Sequence, residues 1–279
     1  MLSRIEKIEQ YLRPKISLCD IAYWDGSEVK TVSQDKWNTS LGTPVGVVVI
    51  PEGFAPDGKA RIIGLKFVTS AGTSSDSANH MPWGGPGTDT SLTNYPTVPT
   101  TDNAGSTSTG SDSYGYLPSD YFSDSESFVD PKAKYNGQAP MITSPYLGDD
   151  QTFNPEYSKE ISGNNALSDF NGASNTEVLV GLGTGYTAAN ACWNYNGGVT
   201  GTDIQWYLPA AGELGFLVAR FNAINAAITA VGGVAVNNRP FWSSSENSSD
   251  YAYGVYTYYG SVYDRDKNGT YYVRPFAAL

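Results

Sequence analysis

A chain of 279 residues is long enough to bury one substantial core. Its net charge of −11, from 28 acidic against 17 basic residues, leaves no clustered Lys and Arg to track a phosphate backbone, so no nucleic acid is expected as a partner. Apolar runs stop well short of the roughly twenty residues that cross a bilayer, and Met1-Leu2-Ser3-Arg4-Ile5-Glu6-Lys7-Ile8 is too charged for the core of a signal peptide, so neither membrane insertion nor a leader is expected.

In chain order, Met1, Ile5, Ile8 and Leu12 recur at heptad spacing and end at Pro14, so residues 1–14 read either as the end of a stalk or as one amphipathic helix lying on its own domain. From Ile16 the pattern turns to strand. Ile21-Ala22-Tyr23-Trp24 leads into the Asp25-Gly26 turn, Val45 to Ile50 is a buried run bounded by Pro44 and Pro51, and Ile62 to Val68 follows the Asp57-Gly58 turn. Between Thr69 and about Phe128 the composition becomes Ser, Thr, Gly, Asp, Asn and Pro with scattered aromatics, a polar insertion that cannot fill a core of its own and reads as a long loop held down by those aromatics. His80 is the only histidine and sits in this stretch, where a surface role outweighs that of a base or ligand.

Order returns after Asp169. Asn175 to Gly181 reads as a short helix capped by Asn175 or Thr176, and Thr187 to Tyr195 as another, closed by Gly197-Gly198. A long helix opens at Pro209 and runs to Gly232-Gly233, with Leu214, Leu217, Val218, Phe221, Ile224 and Ile228 on one stripe. Short strands follow around Phe241-Trp242-Ser243, Ala252 to Tyr258, Ser261 to Asp264 and Tyr271 to Phe276, joined by turns at Tyr259-Gly260 and Asn268-Gly269.

Residues 239–279 hold eight of the twenty tyrosines, interleaved with Ser, Asn, Asp, Gly and Thr. Recognition loops use this mixture because Tyr offers a wide amphipathic contact with few rotors to freeze; a Tyr-rich antiparallel sheet is the plainer reading of the same residues. Cys19 and Cys192 lie far apart without CxxC spacing, which fits buried thiols rather than a disulfide framework or metal knuckle, and no metal or cofactor is expected.

Six short strings carry a resemblance: Asp169-Phe170-Asn171-Gly172; Asn175-Thr176; Ala188-Ala189-Asn190-Ala191-Cys192; Trp206-Tyr207-Leu208-Pro209 with Glu213-Leu214; Phe241-Trp242-Ser243-Ser244-Ser245-Glu246; and Val273-Arg274-Pro275-Phe276. In this order they resemble the C-type lectin-fold domains of gut bacteria and their phages, as do Asp20 to Gly26 and Pro44 to Val48 nearer the start. The resemblance implies an α+β, C-type lectin-like fold of short antiparallel strands with two or three helices and a long polar insertion, occupying 15–279 behind the 1–14 segment, with a variable ligand-binding segment at 239–279.

Within that group, the Tyr/Asn/Ser/Asp-rich end is similar to the variable proteins of diversity-generating retroelements, phage tropism determinants among them. In that family, adenines of Asn template codons are miscopied. Asp250, Tyr251, Tyr253, Gly254, Tyr256, Tyr258, Tyr259, Ser261, Tyr263, Asp264, Arg265, Asp266, Asn268, Gly269, Thr270 and Tyr271 are all reachable from such codons, and between Asp250 and Tyr272 only Lys267 is not. Apart from the two glycines, these are the candidate ligand-binding side chains, with Trp242, Val255, Val262, Val273 and Phe276 as fixed anchors beneath them.

The function this implies is a diversified receptor-binding protein at a bacteriophage tail-fibre tip, taking a bacterial surface protein or glycan, with a homotrimer as one assembly that would supply avidity. A bacterial surface or pilus-tip adhesin of the same fold is the alternative, and a glycan hydrolase using Glu213 or Glu246 is a second. The Pro-flanked carboxylate triplet of calcium-dependent lectins, the cysteine pair of formylglycine-generating enzymes and a Gly-x-Ser-x-Gly elbow are absent, so a non-enzymatic binding protein is the expectation.

Overall fold

The computed structural model describes residues 16–52, 55, 57–90, 92, 166, 169–236, 239–257 and 261–279. The heptad segment, most of the polar insertion, and Tyr258 and Tyr259 lie outside the described residues, as does the side chain of Ser261. The strands are β1 (Ile21–Trp24), β2 (Val29–Val32), β3 (Thr43–Ile50), β4 (Arg61–Gly64), β5 (Phe67–Val68), β6 (Ser74–Ser75), β7 (His80–Pro82), β8 (Trp206–Tyr207), β9 (Pro240–Glu246), β10 (Tyr251–Tyr256), β11 (Ser261–Asp266), β12 (Thr270–Tyr272) and β13 (Phe276–Ala278). The helices are α1 (Gly172–Leu182), α2 (Thr187–Trp193), α3 (Ala211–Ala219) and α4 (Phe221–Ala230).

These elements form an α+β domain with two main sheets. The first has the order β2-β1-β3-β4-β13-β8 and is antiparallel at each of its pairings, with Val47 opposite Ile63 and Ile63 opposite Phe276. Its centre is buried on both faces, which is why β3 and β4 read as unbroken apolar runs rather than alternating ones. The second has the order β11-β10-β9-β12-β7 and is mixed, because β12 runs parallel to β9 where Tyr272 meets Phe241. A small β5–β6 hairpin stands apart.

Helix α3 packs against β3 of the first sheet and against β9 and β10 of the second. Leu214, Phe216, Leu217 and Val218 are therefore all enclosed, and they join Val47, Val49, Ile63, Phe241, Val255, Val262 and Phe276 in one core. A second core lies on the opposite faces, where Val45, Val48 and Ile62 meet Trp83, Leu179, Trp206, Trp242 and Val273, with residues of α1 and α2 as its cover.

Several expectations are corrected. The helix expected from Pro209 to Gly232 is two helices, because Arg220 leaves helical geometry at φ −131° and ψ 30°. The break lets α3 stay buried between the sheets while α4, which packs on β3, turns its outer side to water. Asn175 and Thr176 are not caps but interior positions of α1: Thr176 Oγ1 donates to the Gly172 carbonyl and accepts from the Leu208 N–H. There are four α-helices among the described residues rather than two or three. The strand expected from Tyr271 to Phe276 is split at Val273-Arg274-Pro275, so the chain leaves the second sheet at β12 and enters the first at β13. Cys192 is buried, whereas Cys19 is only partly so; both thiols are free.

The described start of the polar stretch, residues 69–90, is woven into the domain. His80 lies on strand β7, paired with Tyr272 and edge-on to its ring at 4.1 Å, rather than in a free loop. Beyond it, Gly84 has φ +102°, and a Cβ there would lie 2.0 Å from the Gly185 carbonyl oxygen, so only glycine lets this strand-end pass the α1–α2 connection.

Candidate functional site

Four of the resembling strings, those holding Asp169–Gly172, Asn175–Thr176, Leu208 with Glu213, and Ser243–Ser245, meet behind β9. Ser243, Ser244 and Ser245 are all fully buried, and each hydroxyl has a protein partner. Ser243 Oγ donates to the Tyr253 carbonyl, Ser244 Oγ accepts from Asn175 Nδ2, and Ser245 Oγ donates to Asp169 Oδ2 at 2.7 Å while accepting from the Ala211 N–H. Asp169 also accepts from Asn175 Nδ2 and the Asn171 N–H, and burial raises its pKa against those hydrogen bonds. Gly172 packs so tightly that a Cβ would fall 2.2 Å from Glu213 Oε2.

Glu213 and Glu246, the two carboxylates a hydrolase would draw on, are fully buried. Glu213 accepts from Arg61 Nε, the Tyr207 hydroxyl and the Ala210 N–H at 2.8–2.9 Å. Burial pushes this carboxyl up to about 7 although Arg61 pulls the other way. Glu246 closes β9 and pairs with Lys267 Nζ at 2.5 Å, and the Thr90 hydroxyl donates to its other oxygen at 2.6 Å. Lys267 completes its shell with the carbonyls of Thr88 and Ser249, both at 2.8 Å, and lies over the Trp83 ring. Both acids are built into the frame, with no face open to a substrate.

That frame carries the β10–β11 hairpin at the sheet's edge. Its register sets Tyr251 opposite Asp266, Tyr253 opposite Asp264 and Val255 opposite Val262 on the face toward α3; Ala252 opposite Arg265, Gly254 opposite Tyr263 and Tyr256 opposite Ser261 lie on the other. Val255 and Val262 are buried, as are Trp242, Val273 and Phe276, and Leu208, Leu214, Leu217 and Phe221 behind them. Large exposed rings belong to Tyr251, 44% accessible, and Tyr263, 40%.

On the face away from α3, the Arg265 guanidinium lies 5.0 Å from the centre of the Tyr263 ring and 5.4 Å from that of half-buried Tyr256, whose rings meet edge to face at 5.7 Å. On the α3 side, Tyr251, Asp264 and Asp266 are exposed where the helix cover ends. Asp250, Asn268 and Thr270 are exposed at the strand ends, with Asp250 Oδ1 accepting from the Gly87 N–H.

The expectation of a row of outward tyrosines is therefore corrected in two respects. Tyr253 is only 8% exposed, because it sits over α3 within the core, and its hydroxyl donates to Asn247 Oδ1. Tyr271 is half-buried edge-on to Trp242 at 4.7 Å, as is Tyr272 between His80, Phe67 and Phe241. The exposed side chains lie on both faces of an edge hairpin, not on one. Sequence reasoning missed the stretch from Trp83 to Thr90 that clamps the hairpin base; its one signal was Trp83, an aromatic amid polar residues.

No helix among the described residues is long and apolar enough to cross a membrane. No family model matches the chain, and no curated protein matches it. Among solved structures, the chain is similar to a fimbrial protein from Bacteroides ovatus, at 17% identity and a TM-score of 0.43. That match takes in 95% of this chain and 49% of the other, so the chain spans about half the length of the fimbrial protein.

Proposed function

We propose that the chain is a non-enzymatic, diversified ligand-binding protein of C-type lectin-like fold. The β10–β11 hairpin and the Asn268–Thr270 turn are its recognition surface for a bacterial surface protein or glycan. A place at a phage tail-fibre tip is the setting in which such a surface serves host choice, and a bacterial surface adhesin is the other setting for the same device.

The observation that supports this reading is the division of labour within one short segment. Each described aliphatic of the hairpin (Ala252, Val255 and Val262) is buried, while Tyr251, Tyr263, Asp264 and Asp266 stand in solvent. Lys267, the one residue of the segment that cannot arise from a miscopied Asn codon, is locked inside by Glu246. A backbone held by buried tryptophans, serines and an ion pair tolerates substitution of its outward side chains, which is what diversification demands.

Resequencing the gene across isolates tests the reading. Substitutions should concentrate at the exposed positions between Asp250 and Tyr271 and spare Trp242, Glu246 and Lys267, with a near-copy of the segment beside a reverse transcriptase. Substitutions spread evenly over the chain would remove the diversification claim, and the genes flanking that locus would distinguish a virion from a cell surface.

A further inference from the structure

The two faces of the recognition hairpin carry different chemistry. Toward α3 its exposed side chains are Tyr251, Asp264 and Asp266; on the other face stand Tyr263, exposed, with half-buried Tyr256 and Arg265. Of the two basic residues between Asp250 and Tyr272, Lys267 is enclosed with Glu246, so Arg265 is the one cation that the segment presents to solvent.

Rings rather than carboxylates hold that cation. The Arg265 stem passes over β10 at Gly254, where a Cβ would lie 3.6 Å from Arg265 Cγ. The guanidinium carbon then comes to 5.0 Å from the centre of the Tyr263 ring and 5.4 Å from that of Tyr256, and the two rings meet edge to face. Nη1 donates to the Asp264 carbonyl at 3.3 Å, and Nε is a buried atom without a partner. Among the described residues no carboxylate forms an ion pair with Arg265, although the chain holds 28 acidic residues against 17 basic ones. The rings keep the fork of donors oriented while its charge lacks a counter-charge. The acceptor that suits such a fork is a planar anion taking two N–H groups in parallel.

We propose that this face binds a uronic acid of an anionic polysaccharide, with the sugar carboxylate on Arg265 and the sugar ring against Tyr263; the proposal rests on the reading of the hairpin as the recognition surface. A pyranuronate supplies both halves at once, an apolar C–H face for the open part of the Tyr263 ring and a carboxylate on the same ring for the guanidinium beside it. The face favours a sugar over a protein partner because each described aliphatic of the hairpin is buried. It therefore offers no exposed aliphatic around which a protein interface builds its dry centre. The chain's net charge of −11 repels polyanions at long range, so a polyuronate is held by this contact and not by diffuse attraction.

The test is isothermal titration calorimetry of the whole chain, at one ionic strength, with oligogalacturonate, oligomannuronate and hyaluronate, each beside its carboxyl-reduced neutral form. At least one uronate should bind, and its reduced form should bind at least about tenfold more weakly, as loss of a hydrogen bond to a charged group predicts. Arg265→Gln should weaken that uronate by the same factor, and Arg265→Lys, which keeps the charge without the fork, should restore only part of the loss. Tyr263→Ala should cost about tenfold through the lost ring, and Tyr263→Phe should not. Lys30→Ala, which removes a cation from β2 in the other sheet, should change nothing. Failure of all three uronates to bind overturns the proposal, as does equal binding of the reduced forms or full affinity in Arg265→Gln. Poly-glutamate or dextran sulfate held as tightly as the best uronate overturns it too, since the site would then accept any anion, a protein's included. Retention on bacterial cells that Tyr263→Ala abolishes, with no uronate bound, would overturn the ligand class alone and leave the hairpin as the recognition surface.

Discussion

Trp83 and Trp242 tie the 83–90 clamp to the second sheet reciprocally. The indole N–H of Trp83 donates to the Ser243 carbonyl at 2.8 Å, and that of Trp242 donates to the Met81 carbonyl at 2.9 Å. Each ring thus bonds the backbone beside the other, and both rings are buried. Replacing either by Phe keeps most of the apolar volume but strands a buried carbonyl, which costs about 1–3 kcal/mol. Chemical denaturation of Trp83→Phe and Trp242→Phe should show losses in that range. The double variant should lose less than the sum, because the two bonds close the same gap; strict additivity would show that the pair does not act as one tie.

The Glu246–Lys267 pair should be far from additive in the same measurement. Lys267→Met leaves a buried carboxylate without its ammonium partner, though the Thr90 donors stay, and Glu246→Gln leaves a buried ammonium among carbonyls and a Trp ring. Either change alone is expected to cost about 3–5 kcal/mol, the scale for an uncompensated buried charge, while Glu246→Leu with Lys267→Met together should cost clearly less. A double variant as unstable as the worse single would mean that the pair is worth its full Coulomb attraction.

Tyr253 supplies a pH test of its burial. Desolvation, with Asp264 adding to it, pushes its pKa up to about 12, from the ordinary value near 10. A phenol whose folded pKa is raised contributes stability that is fully present below pH 10 and is lost as pH climbs through 12, because the unfolded chain releases the proton first. The stability difference between the wild-type chain and Tyr253→Phe should be flat below pH 10 and fall across that window. A stability difference that stays flat through pH 12 would return Tyr253 to the surface set.

What could be read from the sequence was whatever repeats in register with its surroundings. The β3 run and the Leu214-to-Ile228 stripe follow from apolar periodicity alone, whereas the Ile62-to-Val68 run is cut at Leu65-Lys66 into β4 and β5, which lie in different sheets. The break at Arg220 does not follow from it, because Leu217, Phe221 and Ile224 keep a helical phase straight across it. The jump between sheets at Val273-Arg274-Pro275 was hidden for a similar reason, since Tyr272 and Phe276 are both strand-forming and nothing local records that they belong to different sheets. Tyr251 and Tyr253 share one face of β10, yet the first is exposed and the second covered by the core, a difference no local pattern records. The Trp83-to-Thr90 clamp depends on partners about 160 residues away, at Ser243 and Glu246, beyond any local signal.

The hairpin surface makes the sharpest functional prediction. Tyr251 and Tyr263 are large, exposed and free of any role in the core, so Tyr251→Ala and Tyr263→Ala should change stability by no more than about 0.5–1 kcal/mol, the upper end being the lost Tyr263 contacts with Tyr256 and Arg265. Exposed tyrosines are typical of the few side chains that dominate a binding interface, where truncation costs about 2 kcal/mol or more; if the proposed surface binds bacterial cells, the double variant should lose at least about thirtyfold in retention on them. Lys30→Ala on β2, at the far edge of the other sheet, should leave retention unchanged. Because Tyr251 and Tyr263 lie on opposite faces of the hairpin, their single variants also discriminate how the ligand is held. Loss in both would mean that the ligand wraps the β11 edge, and loss in one alone would confine it to that face. Undiminished retention in the double variant, with folding intact, would remove the hairpin from the recognition surface.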